Sequence, residues 1–383
     1  MRTTEGKGGA DVKTAGDAES VAVLLAALDQ VEVPERWAHG FHTYPAGIHP
    51  DAARLLVGHF ASGPVLDPFC GGGTVLVEAR AAGFPTYGLD LSPTAVRVAR
   101  ARTATPDEPT LNRTRSIARA LTAEARAARD VSPPETVARV LATWYAPHVM
   151  VELEVLRRGI VAVTEEPVRV LLEAAFSSIL VKTSFRKSDT SAQREVHDRP
   201  AGTAAVLFHK KVRELGRRLT SYRDAVPAGT PEARIRIGDA REIPRNVPLS
   251  LVLTSPPYPA TYDYLPLQHL RRVWLDDDNR GLEREIGARR HWRDGAAAAR
   301  RQWASDTIDW TASAARAMAP GGRLVVVIGD GLAPAGVVET LGPTRDAAHA
   351  AGLGLLASAS VYRPDHARGT GRWEHALAFE KPR

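Results

Sequence analysis

Residues 64–74 read Pro-Val-Leu-Asp-Pro-Phe-Cys-Gly-Gly-Gly-Thr. A short apolar run meets an acid, then three glycines, and helical spacing follows over 74–82. That is a buried strand turning sharply into a helix, the opening unit of an α/β chain. Glycines allow the turn and let the backbone approach a ligand with no Cβ in the way. The start of the helix offers unpaired N–H groups. Asp67, at the strand's end, is placed to reach a ligand's ammonium group directly or through water.

The pattern repeats. Residues 85–89 form a second strand signal ending in Asp90, and Ser92-Pro93 opens the next helix with a capping hydroxyl and a first-turn proline. An acid in the position of Asp90 can accept from both hydroxyls of a ribose. Further strands are expected at 233–237, 249–253, 324–328, 353–361 and 375–379. The first of these ends in Gly238-Asp239-Ala240, where the carboxylate could accept from an adenine amino group. A helix over 304–318 is expected to close at Pro320-Gly321-Gly322. Between the second and third strands, residues 103–232 carry helical periodicity over 111–129, 149–160, 168–180 and 204–222. The expected architecture is a mostly parallel, doubly wound α/β sheet interrupted by this helical insertion. Residues 20–102 and 233–383 then make one domain, which opens with a short helix at 20–30. Residues 1–19 are polar and read as a disordered leader.

The strand at 249–253 runs straight into Thr254-Ser255-Pro256-Pro257-Tyr258. Two prolines in succession fix the backbone and supply no N–H, so their carbonyls are rigid acceptors. Alone, this is a proline-rich turn. Combined with the glycine loop, it resembles the S-adenosylmethionine-dependent DNA amino-methyltransferases that modify N4 of cytosine or N6 of adenine. His42-Thr43-Tyr44-Pro45-Ala46, Tyr258-Pro259-Ala260-Thr261-Tyr262-Asp263-Tyr264 and Ala319-Pro320-Gly321-Gly322-Arg323 fit as well. The matches cover about residues 37–102 and 233–383.

The resemblance implies a Rossmann-like class I methyltransferase fold with S-adenosylmethionine as cofactor. Its implied cofactor-binding residues are His42, Tyr44, Pro45, Asp67, Pro68, Phe69, Gly71, Gly73, Thr74, Asp90, Leu91, Asp239, Ala240 and Thr254. It implies catalytic roles for Ser255, Pro256, Pro257 and Tyr258. The Ser255 hydroxyl and Pro256 carbonyl would draw a conjugated amine toward tetrahedral geometry, and Tyr258 would stack on an extruded base. Serine in the first position is similar to the cytosine-N4 group. Carbon-5 methylation needs a cysteine nucleophile after the fourth strand, and the one cysteine, Cys70, lies in the glycine loop. The order, cofactor loop before catalytic turn, departs from most cytosine-N4 enzymes. It occurs among adenine enzymes and RNA guanine-N2 methyltransferases, so N6 of adenine and a tRNA or rRNA base stay open as alternatives.

Charge bears on the partner. The formal net charge of +6 suits a polyanion such as double-stranded DNA with a flipped target base. Candidate phosphate contacts are Lys182, Arg186, Lys187, Arg194 and Lys210, with Lys211, Arg213, Arg217 and Arg218 on the same helix as Lys210. Arg271, Arg272, Arg289 and Arg290 follow the catalytic turn. A single cysteine allows no internal disulfide, and no apolar run is long enough to span a membrane, so a cytoplasmic protein is expected. His197 and His209 lack ligand-like neighbours, so no metal is expected. The bland alternatives are a fold kept only for binding, which the intact Ser255–Tyr258 turn opposes, and a small-molecule N-methyltransferase.

Overall fold

The computed structural model describes residues 2–5, 11–42, 44, 47–277, 281–293, 295–365 and 370–383. The chain begins with β1 (Arg2–Glu5), β2 (Asp11–Gly16), α1 (Ala18–Leu28) and α2 (Pro50–Phe60). Two strand–helix units follow: β3 (Val65–Asp67) with α3 (Thr74–Ala81), and β4 (Thr86–Asp90) with α4 (Pro93–Thr103). The segment after α4 holds α5 (Glu108–Ala127), α6 (Glu135–Leu141), α7 (Pro147–Val161) and α8 (Glu166–Thr183). A hairpin of β5 (Arg186–Ser188) and β6 (Ser191–Arg194) then leads into α9 (Thr203–Ala225). The sheet resumes with β7 (Arg234–Ile237) and β8 (Leu249–Thr254), followed by α10 (Tyr264–Leu267), α11 (His269–Trp274) and α12 (Ala296–Ala317). Last come β9 (Met318–Gly329), the small hairpin β10 (Gly331–Ala333) and β11 (Gly336–Val338), α13 (Leu341–Ala350), β12 (Gly354–Asp365) and β13 (Thr370–Glu380).

The main sheet has nine strands in the order β1-β2-β12-β13-β9-β8-β3-β4-β7. From β7 to β9 every pairing is parallel, while β13 pairs antiparallel with both β9 and β12. This is a mostly parallel, Rossmann-like α/β sheet, doubly wound as expected. Its central strands are covered on both faces, which explains their nearly continuous apolar runs. Along β8 the sides alternate. Leu251 and Leu253 face a core built with Leu56, Phe60 and Val75, and Val252 faces one built with Trp303, Trp310 and Met318.

The chain leaves β3 toward β4 and β7 on one side, and continues through β8 and β9 on the other. The switch point between β3 and β8 opens a crevice at their carboxyl ends, where ligands of such sheets bind. The glycine loop and the Ser-Pro-Pro-Tyr turn therefore emerge side by side. The helices of residues 103–232 share a separate apolar core that includes Leu153, Leu172, Phe176, Phe208 and Tyr222. It continues into α3 through Val77 and into α11 through Leu270 and Trp274.

Three expectations are corrected here. The leader is not wholly disordered: residues 12–16 pair antiparallel with β12, where Val12 is buried, and residues 2–5 pair with β2. A polar sequence suffices because the strand is held by backbone bonds to β12 on one side and β1 on the other. The helix α2 was not anticipated, although Pro50 occupies its first turn and His49 caps it. Pro320-Gly321-Gly322 does not close the preceding helix from outside. It is an irregularity inside β9, where the register against β8 jumps between Leu249↔Met318 and Leu251↔Arg323.

The insertion is clamped to the sheet domain by charge. Arg97 on α4 reaches Glu173 on α8 at 2.8 Å and Asp277 at 3.0 Å. Asp277 is nearly buried, and its other donor is the Thr94 hydroxyl at 3.0 Å. Arg97→Ala leaves that carboxylate underpaired and is expected to cost about 3 kcal/mol, read from urea unfolding. A loss below about 0.5 kcal/mol would show that the clamp is dispensable.

Candidate active site

Asp67 ends β3 with its carboxylate buried, and Oδ1 accepts from the Phe69 N–H at 3.1 Å and the Thr254 hydroxyl at 2.6 Å. Thr254 is the last residue of β8, so this bond joins the two strand ends at the switch point. The loop closes through Gly73 N–H to Cys70 O at 2.7 Å and Cys70 N–H to Leu89 O at 2.9 Å. Gly73 caps α3 at φ 80°, and a Cβ there would lie 2.9 Å from Ala99 Cβ on α4. Only glycine meets both conditions.

At the end of β4, Asp90 accepts from Gly71 N–H at 2.9 Å and Ser92 N–H at 2.8 Å, one on each oxygen. Ser92 caps α4 as expected, accepting from Ala95 N–H at 3.2 Å. Burial pushes Asp67 up to about 7, against the bonds from Thr254 and Phe69. Burial likewise pushes Asp90 up to about 6, against its two backbone donors. Two acids held this far from water are costly unless something cationic or hydrogen-bonding arrives to face them.

One cleft gathers most of the expected residues. Tyr44, Asp67, Pro68, Phe69, Gly71, Thr74, Asp90, Leu91, Asp239, Ala240, Ser255 and Pro257 all line it. Burial, with Asp90 adding, drives the Tyr44 phenol well above its usual range. Gly73 and Thr254 stand behind the wall, as the loop's hinge and the Asp67 donor. Pro45 lies outside the described residues. His42 is not brought to the cleft: it is buried, with Nε2 at 2.9 Å from the Ser177 hydroxyl on α8, so it joins the insertion to the domain.

Asp239 lines the cleft in another state than expected. Its Oδ1 accepts from the Arg241 N–H and Nε, at 2.9 and 3.0 Å. Its Oδ2 accepts from an Arg241 terminal nitrogen at 2.7 Å and from Arg284 Nε at 2.9 Å. A carboxylate has about four acceptor positions, and four donors fill them. An adenine amino group would find no vacancy there. Burial raises this acid, but the Arg241 bonds outweigh it and the net shift is downward.

Ser255 and Pro257 reach the cleft from the end of β8, whereas Pro256 is buried. The turn is pinned by Ala260 N–H to Gly287 O at 3.0 Å. The Tyr258 ring lies over Gly329, where an added Cβ would come within 2.6 Å of Cε2, and its hydroxyl is 3.3 Å from Glu374 Oε1. Sequence reasoning missed Glu285 and Ile286, which close the cleft from a segment with no periodicity to reveal it. Arg290 holds Glu285 at 2.6 Å.

No family model matches this chain. Over 268 residues it is 26% identical to the type II methyltransferase M.MvaI of Kocuria varians, covering 62% of this chain and 57% of that protein. The chain thus spans a little over half the length of that relative. Among solved structures, TrmN from Thermus thermophilus aligns over 88% of this chain and 50% of its own, at 15% identity and a TM-score of 0.34. Geranyl diphosphate C-methyltransferase from Streptomyces coelicolor A3(2) aligns over 87% and 79%, at 9% identity and a TM-score of 0.36. Likeness at such scores carries no weight for chemistry. The cleft and the strand order have to speak for themselves.

The candidate phosphate contacts divide in two. Lys182, Lys187, Arg194 and Lys210 are exposed, as are Arg213, Arg217 and Arg289. The rest are corrected. Arg186 is buried and donates to Ser191 O at 2.7 Å and Leu267 O at 2.5 Å. Arg271 is buried and donates to Asp189, Gln268 and Ser177 O. Arg272 is buried too. These arginines lock the β5–β6 hairpin and α8 onto α10 and α11, so their charge is spent inside. Lys211 and Arg218 are held by Glu214, and Arg290 by Asp263 and Glu285. Among the described residues, no group of three or more His, Cys, Asp or Glu could hold a metal ion, and no helix is long and apolar enough to cross a membrane.

Gly73→Ala is expected to cost about 1–3 kcal/mol through left-handed strain, with further loss from the Ala99 contact. Thermal unfolding would show it, and an unchanged melting temperature would mean that the loop can rebuild.

Proposed function

We propose that this chain is an S-adenosylmethionine-dependent methyltransferase acting on an exocyclic amino nitrogen of a nucleobase, N4 of cytosine in DNA. The observation that carries the reading is that Ser255 and Pro257 share one cleft with Asp67, Asp90 and the glycine loop. A cofactor loop and an amine-orienting turn are useful together only if a methyl group passes between them.

The cleft fits the cofactor by its donor set. Asp67 takes both of its hydrogen bonds on Oδ1, which leaves Oδ2 for an ammonium group. Asp90 has one donor on each oxygen and accepts the ribose hydroxyls with the remaining lone pairs. Tyr44 and Phe69 supply apolar walls, and the backbone of Ala240 remains for the adenine edge while Asp239 is held by arginines. When bound, the cofactor supplies a methyl group on a sulfonium.

The protein's task is then alignment. The Ser255 hydroxyl accepts one amine hydrogen at the cleft wall. The Pro256 carbonyl, which does not line the cleft in this structure, would accept the other once the turn moves toward the base. Together they turn the nitrogen lone pair toward the methyl. The extra proton of the product leaves to the Pro256 carbonyl or to water. Extruding a base from a duplex costs about a few kcal/mol, which stacking on Tyr258 would help offset. Serine at 255 supports cytosine N4. The order of loop and turn supports the second reading, an adenine or an RNA base.

Two measurements test this. Purified protein is incubated with labelled cofactor and, separately, with unmethylated DNA and total RNA, and the nucleosides are resolved by mass spectrometry. N4-methylcytosine in DNA is expected, with Ser255→Ala lowering the rate by at least about a hundredfold. Label confined to RNA or to adenine would select the second reading, and no label in either would overturn both. In calorimetry, cofactor affinity should rise as the pH increases through about 7, because Asp67 must lose its proton to face an ammonium. Asp67→Asn should flatten that dependence and weaken binding about tenfold or more.

A further inference from the structure

β12 and β13 outrun the sheet that holds them. The last pair of β13 with β9 is Glu374↔Gly329, and the last pair of β12 with β2 is Val361↔Val12. Beyond those points the two strands continue as a ladder with each other, through Tyr362↔Trp373 and Arg363↔Arg372 and onward, with one further bond from Asp330 N–H to Trp373 O at 2.9 Å. The arm leaves at the carboxyl end of the parallel strands, the end that carries Asp67 and Ser255.

Its two faces are differently settled. On one, Tyr362 and Trp373 pack with ring centroids 5.4 Å apart, and the Lys13 ammonium sits 4.1 Å over Trp373. On the other, Arg363 lies directly opposite Arg372, with Glu374 on the same side two residues along. Like charges in opposed positions are unfavourable. On that face Glu374 is taken by Arg363 at 2.9 Å and approached by the Tyr258 hydroxyl at 3.3 Å. Among the described residues, Arg372 has no hydrogen-bond or ion-pair partner. Burial raises the phenols of Tyr258 and Tyr264, and the charge of Arg372 acts on both against it. The guanidinium therefore stands at the rim where the arm meets the catalytic turn, next to a tyrosine that lines the cleft with Ser255.

We propose that Arg372 is a phosphate-positioning residue that holds the nucleic-acid backbone beside the extruded base. The inference rests on the nucleic-acid reading above. The guanidinium fork suits a phosphodiester, and an anion there would neutralise the repulsion between Arg363 and Arg372. The cofactor's carboxylate is the other anion at hand, but Arg372 is not part of the cofactor cleft's wall.

The test compares wild type, Arg372→Ala and Arg372→Lys for DNA affinity across a salt series, methyl-transfer kinetics, cofactor affinity and melting temperature. Arg372→Ala should raise KM for DNA about tenfold with kcat retained and reduce the salt slope by about 1, while Arg372→Lys recovers much of the loss. Cofactor affinity and melting temperature should stay at wild-type values. An unchanged slope and KM would overturn the inference while leaving the functional reading intact. Loss of cofactor affinity in place of DNA affinity would overturn it in favour of the cofactor carboxylate. A melting loss equal in both variants, with no change in slope, would reduce Arg372 to a structural role. If wild type neither binds nor methylates nucleic acid, the functional reading falls and takes this inference with it, a result visible before any variant is made.

Discussion

The Thr254 hydroxyl donates to Asp67 at 2.6 Å, across the point where the sheet's winding reverses. That bond ties the strand leading into the glycine loop to the strand leading into Ser255. Without it, the two loops would share an edge of the sheet but no common reference. Its effect is to make a buried acid tolerable and to set it beside the Ser-Pro-Pro-Tyr turn. Asp90 repeats the device one strand along, fixed by backbone donors from the loop and from its own helix start. The cleft is therefore built from strand ends and helix starts, which are rigid, and closed by Glu285 and Ile286 from an irregular segment.

Charge in this protein is divided between holding the fold and facing outward. Arg97, Arg186, Arg241 and Arg271 are tied into carboxylates or carbonyls at the joints between the insertion, the segment after the Ser-Pro-Pro-Tyr turn and the sheet. A guanidinium can satisfy several acceptors at once, so it suits such joints. The outward set, with Lys187 and Lys210 exposed on the insertion and Arg372 half-buried on the arm, lies on elements that project from the sheet. A basic balance in the composition could not distinguish these two uses.

Much of the core was legible in the sequence because it depends on local chemistry. Strands buried on both faces must be apolar throughout, a strand-to-helix turn this tight needs glycine at Gly73, and Ser92-Pro93 can begin a helix wherever it stands. The sheet strands, the helices around 93, 111, 149, 168 and 204, and the interruption between β4 and β7 follow from such rules. So does the meeting of Asp67, Asp90 and Ser255, once winding order is added. Strand β2 was not legible, since it is held through its backbone by β1 and β12, which leaves no apolar signature. Helix α2 was hidden because its start reads equally well as a loop around Pro50.

What the sequence alone determined is the chemistry on offer: an acid before three glycines, a second acid one strand later, and a serine followed by two prolines. What only the tertiary structure decided is which groups are free to use it. Arg271 and Arg372 are equally basic in the sequence, yet one is buried against Asp189 and the other has no hydrogen-bond or ion-pair partner among the described residues. Asp239 looks like an open acceptor, yet Arg241 and Arg284 fill it. His42 looks like a cofactor contact, yet it turns into α8. Residue type sets what a side chain can bind, but the partner it binds is often a hundred residues away, and only folding chooses it.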